Sequence, residues 1–557
     1  MVKREDALAM AATPTPLEPT GLGRWSGPIG LGLTFFMLSY TVGVVQPIMP
    51  SLVQEFQSTV GYVQSALVLM SLLTASFTPT AENLSRRLGR KGMFNGALGL
   101  FALGLGLVML SPGMGLFTLG LAGATGLAAA VLVSTPVALL DDRYPDTLAK
   151  KYALLALTLA GIAGGLTGSI LGGVMAYNLS WRWAFGLALA LVPIIAGLVW
   201  PLLRHQPSQT IAVDWVGGLL SVAGFGCTLV GLSLAADLGW WQPKGNPDTQ
   251  AFGLDPLGIS VVPVLLAAGM ICLGLLAFWE RQRLRRGEES LLRMGVFNRR
   301  IYALGLAIGT LHTLIHVGLQ FNLFQFIPAV MGLNPVQTSI AVAPITIAQL
   351  AVLLALAKRR PSQPHRWLLQ WGLAIKALGI LMLWSAMGPD LTLLHLIPAL
   401  VVIGLGTGLF STYITSLTFT DTQEEEKAEA RGVYRPFQNL GASLGRGVLG
   451  TILVGVASVR IVDGILAELG QTLDPTVRRQ AIRSLQAALQ TLRPSDRQSL
   501  FGSLPEAIQP ALPSILKTAA LSAMQSTLLL AFGLCLICLG LSFWLPKTSK
   551  QLEAAIE

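Results

Sequence analysis

The chain has 557 residues, of which 53% are apolar and only 12% charged, with a mean hydropathy of +0.63. A soluble domain carries roughly 25% charged residues, so most of this surface faces something other than water, which excludes a soluble enzyme. The net charge of +10 does not mark a nucleic-acid binder either, because the basic residues sit in short runs between apolar segments, without interleaved aromatics.

Residues 1–27 are polar and contain prolines but no central apolar run, so they read as a cytoplasmic leader and not as a signal peptide. Fourteen apolar segments follow, near 28–50, 60–80, 93–111, 114–140, 152–176, 183–203, 213–236, 258–279, 302–328, 335–357, 367–387, 392–416, 432–457 and 520–545. Many reach the ~20 residues that cross a bilayer core as a helix. Sixty glycines suit such a bundle, because small residues let membrane helices approach closely. The expected fold is therefore an all-α polytopic membrane protein. Its parts would be an N-terminal six-helix bundle at 28–203, two linker helices and a basic loop at 204–300, a C-terminal six-helix bundle at 301–545, and a tail at 546–557.

The connections orient the chain. The second loop carries Arg86, Arg87, Arg90 and Lys91. The eighth carries Arg281, Arg283, Arg285, Arg286, Arg293, Arg299 and Arg300, and the tenth carries Lys358, Arg359, Arg360 and Arg366. The odd-numbered loops, except the last, are nearly free of Lys and Arg. Positive loops stay inside, which predicts both termini on the cytoplasmic side of an inner (plasma) membrane. The last loop, 458–519, is the longest. Asp474-Pro475 starts a helix there, and Val477, Ile482, Leu485, Leu489 and Leu492 trace its apolar face. This helix either rests on the outer membrane surface or covers the external opening.

Chemistry-bearing patterns of other kinds are missing. No GxxxxGK[ST] loop, metal-ligand cluster or catalytic triad spacing occurs, so neither a cofactor nor an enzymatic reaction is expected. Cys535 and Cys538 form a CxxC within a run of Leu, Ile and Gly, and they read as core residues, as do Cys227 and Cys272.

The second loop, Glu82-Asn83-Leu84-Ser85-Arg86-Arg87-Leu88-Gly89-Arg90-Lys91, resembles the signature loop of the major facilitator superfamily, with Leu84, Arg87, Gly89, Arg90 and Lys91 on the pattern. Glu82 and Arg86 replace its first glycine and its acidic residue. The resemblance implies a conformational latch between helices, for which Glu82, or Asp141 and Asp142 after the fourth segment, would supply the anion. In the fifth segment Gly164, Gly168, Gly172 and Gly173 look like an antiporter glycine motif with Ser169 in place of proline, a close-packing seam on which bundles could rock. Trp181-Arg182-Trp183, Asp214-Trp215-Val216-Gly217, Phe278-Trp279-Glu280-Arg281 and the run from Arg431-Gly432 to Leu444-Gly445 are similar to the fourteen-helix drug:H+ antiporter branch. That branch implies an Asp in the first helix, where this chain has Ser39. It also implies an Arg-containing motif in the fourth, where this chain has Ala122-Gly123-Ala124-Thr125-Gly126. Both groups that the resemblance links to proton coupling are thus replaced.

Ionisable groups inside membrane segments are costly and mark function by default. Lys376 lies midway along the eleventh segment. Arg435 and Arg446 lie on the thirteenth with Gln438 and Asn439 between them, and His312, His316 and Gln320 share one face of the ninth. Tyr40 and Gln46 add polar groups in the first. Each has a plainer reading, since the arginines could neutralise helix ends and the histidines could bond neighbouring helices. Taken together, cations without buried anions predict a cavity of positive potential. Lys376 and Arg435 would hold an anionic or strongly accepting group, with His312, His316, Gln320 and Gln46 orienting the rest. If protons are partners, the histidines are the titratable groups near neutral pH. The functional expectation is a secondary transporter of small amphipathic molecules in the bilayer, favouring export. A lipid or amphiphile flippase on the same scaffold and a non-transporting sensor are the alternatives.

Overall fold

In hydrocarbon every backbone N–H and C=O has to be satisfied within its own segment, and the apolar runs of this chain do so as helices. The computed structural model describes residues 23–58, 60–143, 148–200, 214–238, 241, 260–286, 299–357, 366–420, 424–471, 473–491 and 508–546. In chain order these form α1 (Gly23–Glu55), α2 (Val60–Leu88) and α3 (Arg90–Met109). A single rod follows, made of α4 (Met114–Thr118), a π-helical stretch (Leu119–Thr125) and α5 (Gly126–Arg143). Then come α6 (Leu148–Asn178), α7 (Trp181–Val199), α8 (Trp215–Leu238), α9 (Val261–Arg285), α10 (Arg300–Met331) and α11 (Pro335–Ala357). The chain continues through α12 (Arg366–Ala386), α13 (Leu393–Thr418), α14 (Glu424–Glu468), α15 (Pro475–Thr491) and α16 (Leu512–Ser542).

Twelve of the described helices are long and apolar enough to cross a bilayer. The other two expected segments fall on α2 and α8, whose apolar stretches, Tyr62–Thr78 and Trp215–Thr228, are shorter. Thr80, Glu82 and Arg86 continue α2 beyond its apolar part, which is why its length and its hydropathy differ.

The helices bury two separate cores. One joins α1 to α7 around Tyr40, Phe94, Phe101, Phe117 and Phe185, and the Tyr40 hydroxyl donates to the Ala184 carbonyl (2.9 Å). The other joins α10–α14 and α16 around Ile315, Phe326, Leu373, Phe410 and Met524. In the first half α6 lies so close to α1 that side chains would not fit. A Cβ on Gly172 would stand 3.1 Å from the Val44 backbone, and Gly164 and Gly168 meet the backbone of Phe36 and Tyr40. These three glycines therefore seat a helix within its own half. Gly173 alone of the motif faces the other half, with a would-be Cβ 3.1 Å from the Pro335 carbonyl oxygen of α11.

The motifs with Trp and Asp are clamps at the helix ends. Trp181 Nε1 (2.6 Å) and Arg182 (2.5 Å) both donate to the Glu55 carboxylate at the end of α1. Arg182 also donates to the carbonyls of Met109 (3.0 Å) and Ser111 (2.9 Å), satisfying the C-terminus of α3. At the other end of the bundle Asp214 accepts from the Gly217 N–H (2.8 Å), which starts α8. Its carboxylate also takes Trp279 Nε1 (3.2 Å) and pairs with Arg283 of α9 (2.8 Å), both partners being nearly buried. The α8–α9 pair so locked rests on both halves. Ser221 donates to the Ser76 carbonyl of α2, while Leu276 packs with Tyr302, Phe419 and Ala430. The end of the bundle that holds Asp214 also carries Arg90, Arg285, Arg299 and Arg366, and is termed the basic face below.

Two elements differ from expectation. The thirteenth segment was expected to end near 457, but α14 runs on to Glu468, and α16 begins at Leu512, eight residues before 520. At 1.5 Å per residue, the 45 residues of α14 span roughly 67 Å, far beyond a ~30 Å hydrocarbon core, so hydropathy alone could not mark the end. Helix α15 folds back along that extension. Arg478 makes two 2.8 Å bonds to Asp463, Gln486 lies beside Gly455, and α15 also touches α2 of the first half. Asp474 caps it as expected, accepting from the Thr476 N–H (3.1 Å), whereas Leu492 lies outside the described residues.

Breaking a buried ion pair by removing one partner leaves an uncompensated charge and costs about 3–5 kcal/mol. Asp214→Ala is therefore expected to lower the midpoint of thermal unfolding in detergent by several degrees. The double change Asp214→Ala with Arg283→Leu should cost less than the single one; an equal or greater loss in the double variant would show that the pair is not what joins α8 to α9.

Candidate substrate cavity

Between the halves lies a cavity of about 670 Å³, lined by α1, α2, α5, α6, α10, α11 and α14. The first half lines it with polar side chains from three helices: Ser39 and Gln46 on α1, Ser71 and Thr74 on α2, Thr158 and Ser169 on α6. The second half contributes His316 and Gln320 from α10, Gln349 from α11, and Asn439 and Arg446 from α14. The lining includes Thr78, Val133 and Thr158, which belong to the helix halves nearest the basic face, while the contact of Gly173 with Pro335 closes the halves near the opposite face. Asn439 Nδ2 donates to the Ser71 carbonyl (3.1 Å), a hydrogen bond from one half to the other in the cavity wall.

Each expected site residue now has a place. Gln46, His316 and Gln320 line the cavity together. His312, one turn before His316, is buried behind it, with its ring parallel to His316 (centroids 6.1 Å apart) and stacked on Phe410 of α13 at 3.9 Å. Lys376 is 0% exposed and stands behind the wall, not in it; its titratable neighbours are Cys535, Cys538, His312 and His316. Neither Lys376 Nζ nor His312 Nε2 has a hydrogen-bond partner among the described residues. Tyr40 and Asn322 are spent on helix packing, Asn322 donating to the Leu449 carbonyl (3.1 Å). The side chain of Arg435 lies outside the described residues, and so do those of Glu82, Arg87 and Asp141, on which the latch depends. Of the remaining latch residues, Gly89 has φ +88, a conformation that favours glycine, and Arg90 and Lys91 open α3, with the Lys91 ammonium 4.2 Å from the Trp200 ring centroid.

The charge of the cavity wall comes from α14. Arg446 is only 9% exposed, its Nε bonds weakly back to the Ala442 carbonyl (3.3 Å), and no carboxylate is present among the described lining residues. A guanidinium so placed offers a planar fork of donors to an anion, with amide and hydroxyl groups around it to orient a larger body. Sequence reasoning named Arg446 among the polar groups of the thirteenth segment but gave the anion to Lys376 and Arg435. Position along a helix gives depth in the membrane, but it does not tell which face of an all-round apolar helix meets the cavity. Gln349, which sequence reasoning did not name, carried a usable signal as a lone amide inside an apolar run.

The Ala122–Gly126 stretch, where the resemblance implies an Arg-containing motif, lies almost wholly in the π-helical turn. Gly120 there packs against the Gly104 carbonyl of α3, and the Gly126 carbonyl accepts from Thr74 of α2 (2.9 Å). The turn thus packs three helices of the first half and adds no charge to the cavity.

Comparison with known proteins agrees with this architecture. A family model described as Major Facilitator Superfamily matches residues 31–445. The multidrug resistance protein Stp of Mycobacterium tuberculosis (strain CDC 1551 / Oshkosh) is 25% identical over 459 residues, covering 81% of this chain and 78% of that protein. The putative multidrug resistance protein MdtD of Pectobacterium atrosepticum is 27% identical over 458 residues, covering 79% and 88%. Among solved structures, a bacterial homolog of the human lysosomal transporter Spinster, inward-facing and occupied, superposes with a TM-score of 0.54 at 13% identity, covering 94% of this chain and 97% of that one. Two packed halves, a polar cavity between them and a family match over most of the length place this membrane transporter in the Major Facilitator Superfamily.

Proposed function

We propose that the protein exports small amphipathic molecules bearing an anionic group, by rocking its two halves about the central cavity with the basic face toward the cytoplasm. The observation that carries the reading is Arg446: a nearly buried guanidinium in the cavity wall with no carboxylate among the described lining residues. The anion would dock there, Gln46, Gln320 and Gln349 would hold polar atoms of the same molecule, and Phe35, Phe324 and Met70 would cover its apolar part. Lys376, behind the wall, would add to the positive potential without touching the substrate. Export is supported by the relatives, which are called multidrug resistance proteins. With the basic face inward, the cavity as described reaches toward the cytoplasm, the side from which an exporter loads.

A hydrogen bond to a charged group contributes about 1.5–3 kcal/mol, which is roughly a 10- to 100-fold effect. In everted vesicles Arg446→Gln is expected to cut uptake of an anionic amphipathic dye by at least tenfold while sparing a cationic dye of similar size. Lys376→Met should have a smaller effect on the anion. Equal loss of both dyes in Arg446→Gln, or a larger anion-specific loss in Lys376→Met, would overturn the assignment of the anion to Arg446.

A further inference from the structure

The electrostatics of this cavity bear on what drives transport. Across all fourteen apolar segments the basic residues are Lys376, Arg435 and Arg446, and the one carboxylate is Asp214, which opens the seventh segment and is tied to Arg283. Exchange of substrate against protons requires that protonation and substrate binding oppose each other. With a cationic substrate a shared carboxylate achieves this. With an anionic substrate the sign reverses, because any proton taken up near the site adds positive charge and strengthens anion binding.

The same holds for the described histidines, lysine and cysteines close to the cavity. His316 stands in the wall on α10 and His312 behind it. Lys376 follows on α12, facing Cys535 and Cys538 of α16, while α13 contributes Phe410 and Thr407 on this side. A proton on any of these would travel with the anion and not against it, and an inward proton gradient would then pull the anion in.

A fixed cation avoids that conflict. The empty site carries the charge of Arg446 and is drawn toward the negative side of the membrane. The loaded site crosses with that charge cancelled, so each turn moves one negative charge outward. We infer that the protein is a potential-driven anion exporter, in which Arg446 serves as a permanent counter-charge and no proton is exchanged. This rests on the anion reading given above and adds the driving force to it. One elementary charge per 100 mV corresponds to ~2.3 kcal/mol, about a fifty-fold accumulation, which is enough for efflux without a second coupled ion.

The test uses the purified full chain in liposomes with weakly buffered, equal pH on both sides and a pH-reporting dye inside. A potassium gradient with valinomycin sets the potential, and the probe is a monovalent aromatic sulfonate dye. A tenfold potassium gradient is expected to drive about tenfold dye accumulation on the positive side with no change in internal pH. Arg446→Lys, which keeps the charge, should retain this response, and Arg446→Gln should slow it at least tenfold. Dye movement that needs a pH gradient, or that is matched by proton movement abolished in His312→Asn, His316→Asn or Lys376→Met, would overturn the driving-force proposal and leave the anion reading standing. Movement of a cationic dye but not of the sulfonate, or of neither dye under both gradients, would count against the anion reading itself.

Discussion

A positive charge held in a low-dielectric interior, with no carboxylate among the described residues that line its cavity, sets the terms for the rest of this molecule. Charges in such surroundings are expensive unless paired or solvated. The chain pairs those it can afford to pair, Asp214 with Arg283 and Glu55 with Arg182, at the ends of the bundle. Arg446 is different, because its surroundings are the wall of a polar cavity shared by the two halves. The scaffold frames the site: glycines let α6 lie against α1 in the first half, and α14 carries the guanidinium from the other side. An anionic guest would complete what the protein leaves incomplete.

The same division of labour runs through the motifs. Trp181-Arg182 ties the ends of α1 and α3 to the start of α7, and Asp214 with Trp279 and Arg283 ties α8 to α9. Neither clamp touches the cavity. Of the helices they hold, only α1 lines the cavity; the others support it from outside. The α8–α9 pair, resting on α2 of one half and packed with Tyr302 and Phe419 of the other, braces the two halves near the basic face. On the opposite face, α15 bridges α14 and α2. Rocking about the cavity would have to be accommodated at both places.

Much of this was legible in the sequence, for physical reasons that also explain what was not. Hydropathy and glycine content fix helices in a membrane because hydrocarbon leaves the backbone no alternative, and twelve of the described helices have the length and apolarity to cross it. Ends were harder. In α14 the polar C-terminal extension, with Arg460 and Asp463, belongs to the helix because α15 packs against it, a tertiary contact that a hydropathy profile does not contain. The glycines of the fifth segment were recognised as a close-packing face, yet Gly164, Gly168 and Gly172 serve α1 in the same half and only Gly173 meets α11. For the site, Gln46, His316 and Gln320 share one cavity with Arg446, while Lys376 stands behind its wall. That placement was not readable, because Lys376 sits on an apolar helix whose inward face is determined by the packing of Gly372 and Gly379 against α13.

The account depends on recognition of an anion by Arg446, and equilibrium binding tests that most directly. Titration of a monovalent anionic dye into the purified protein in detergent, compared with Arg446→Gln, should show at least tenfold weaker binding in the variant, with affinity for a cationic dye unchanged or improved. Equal affinity of both proteins for the anion would contradict the account.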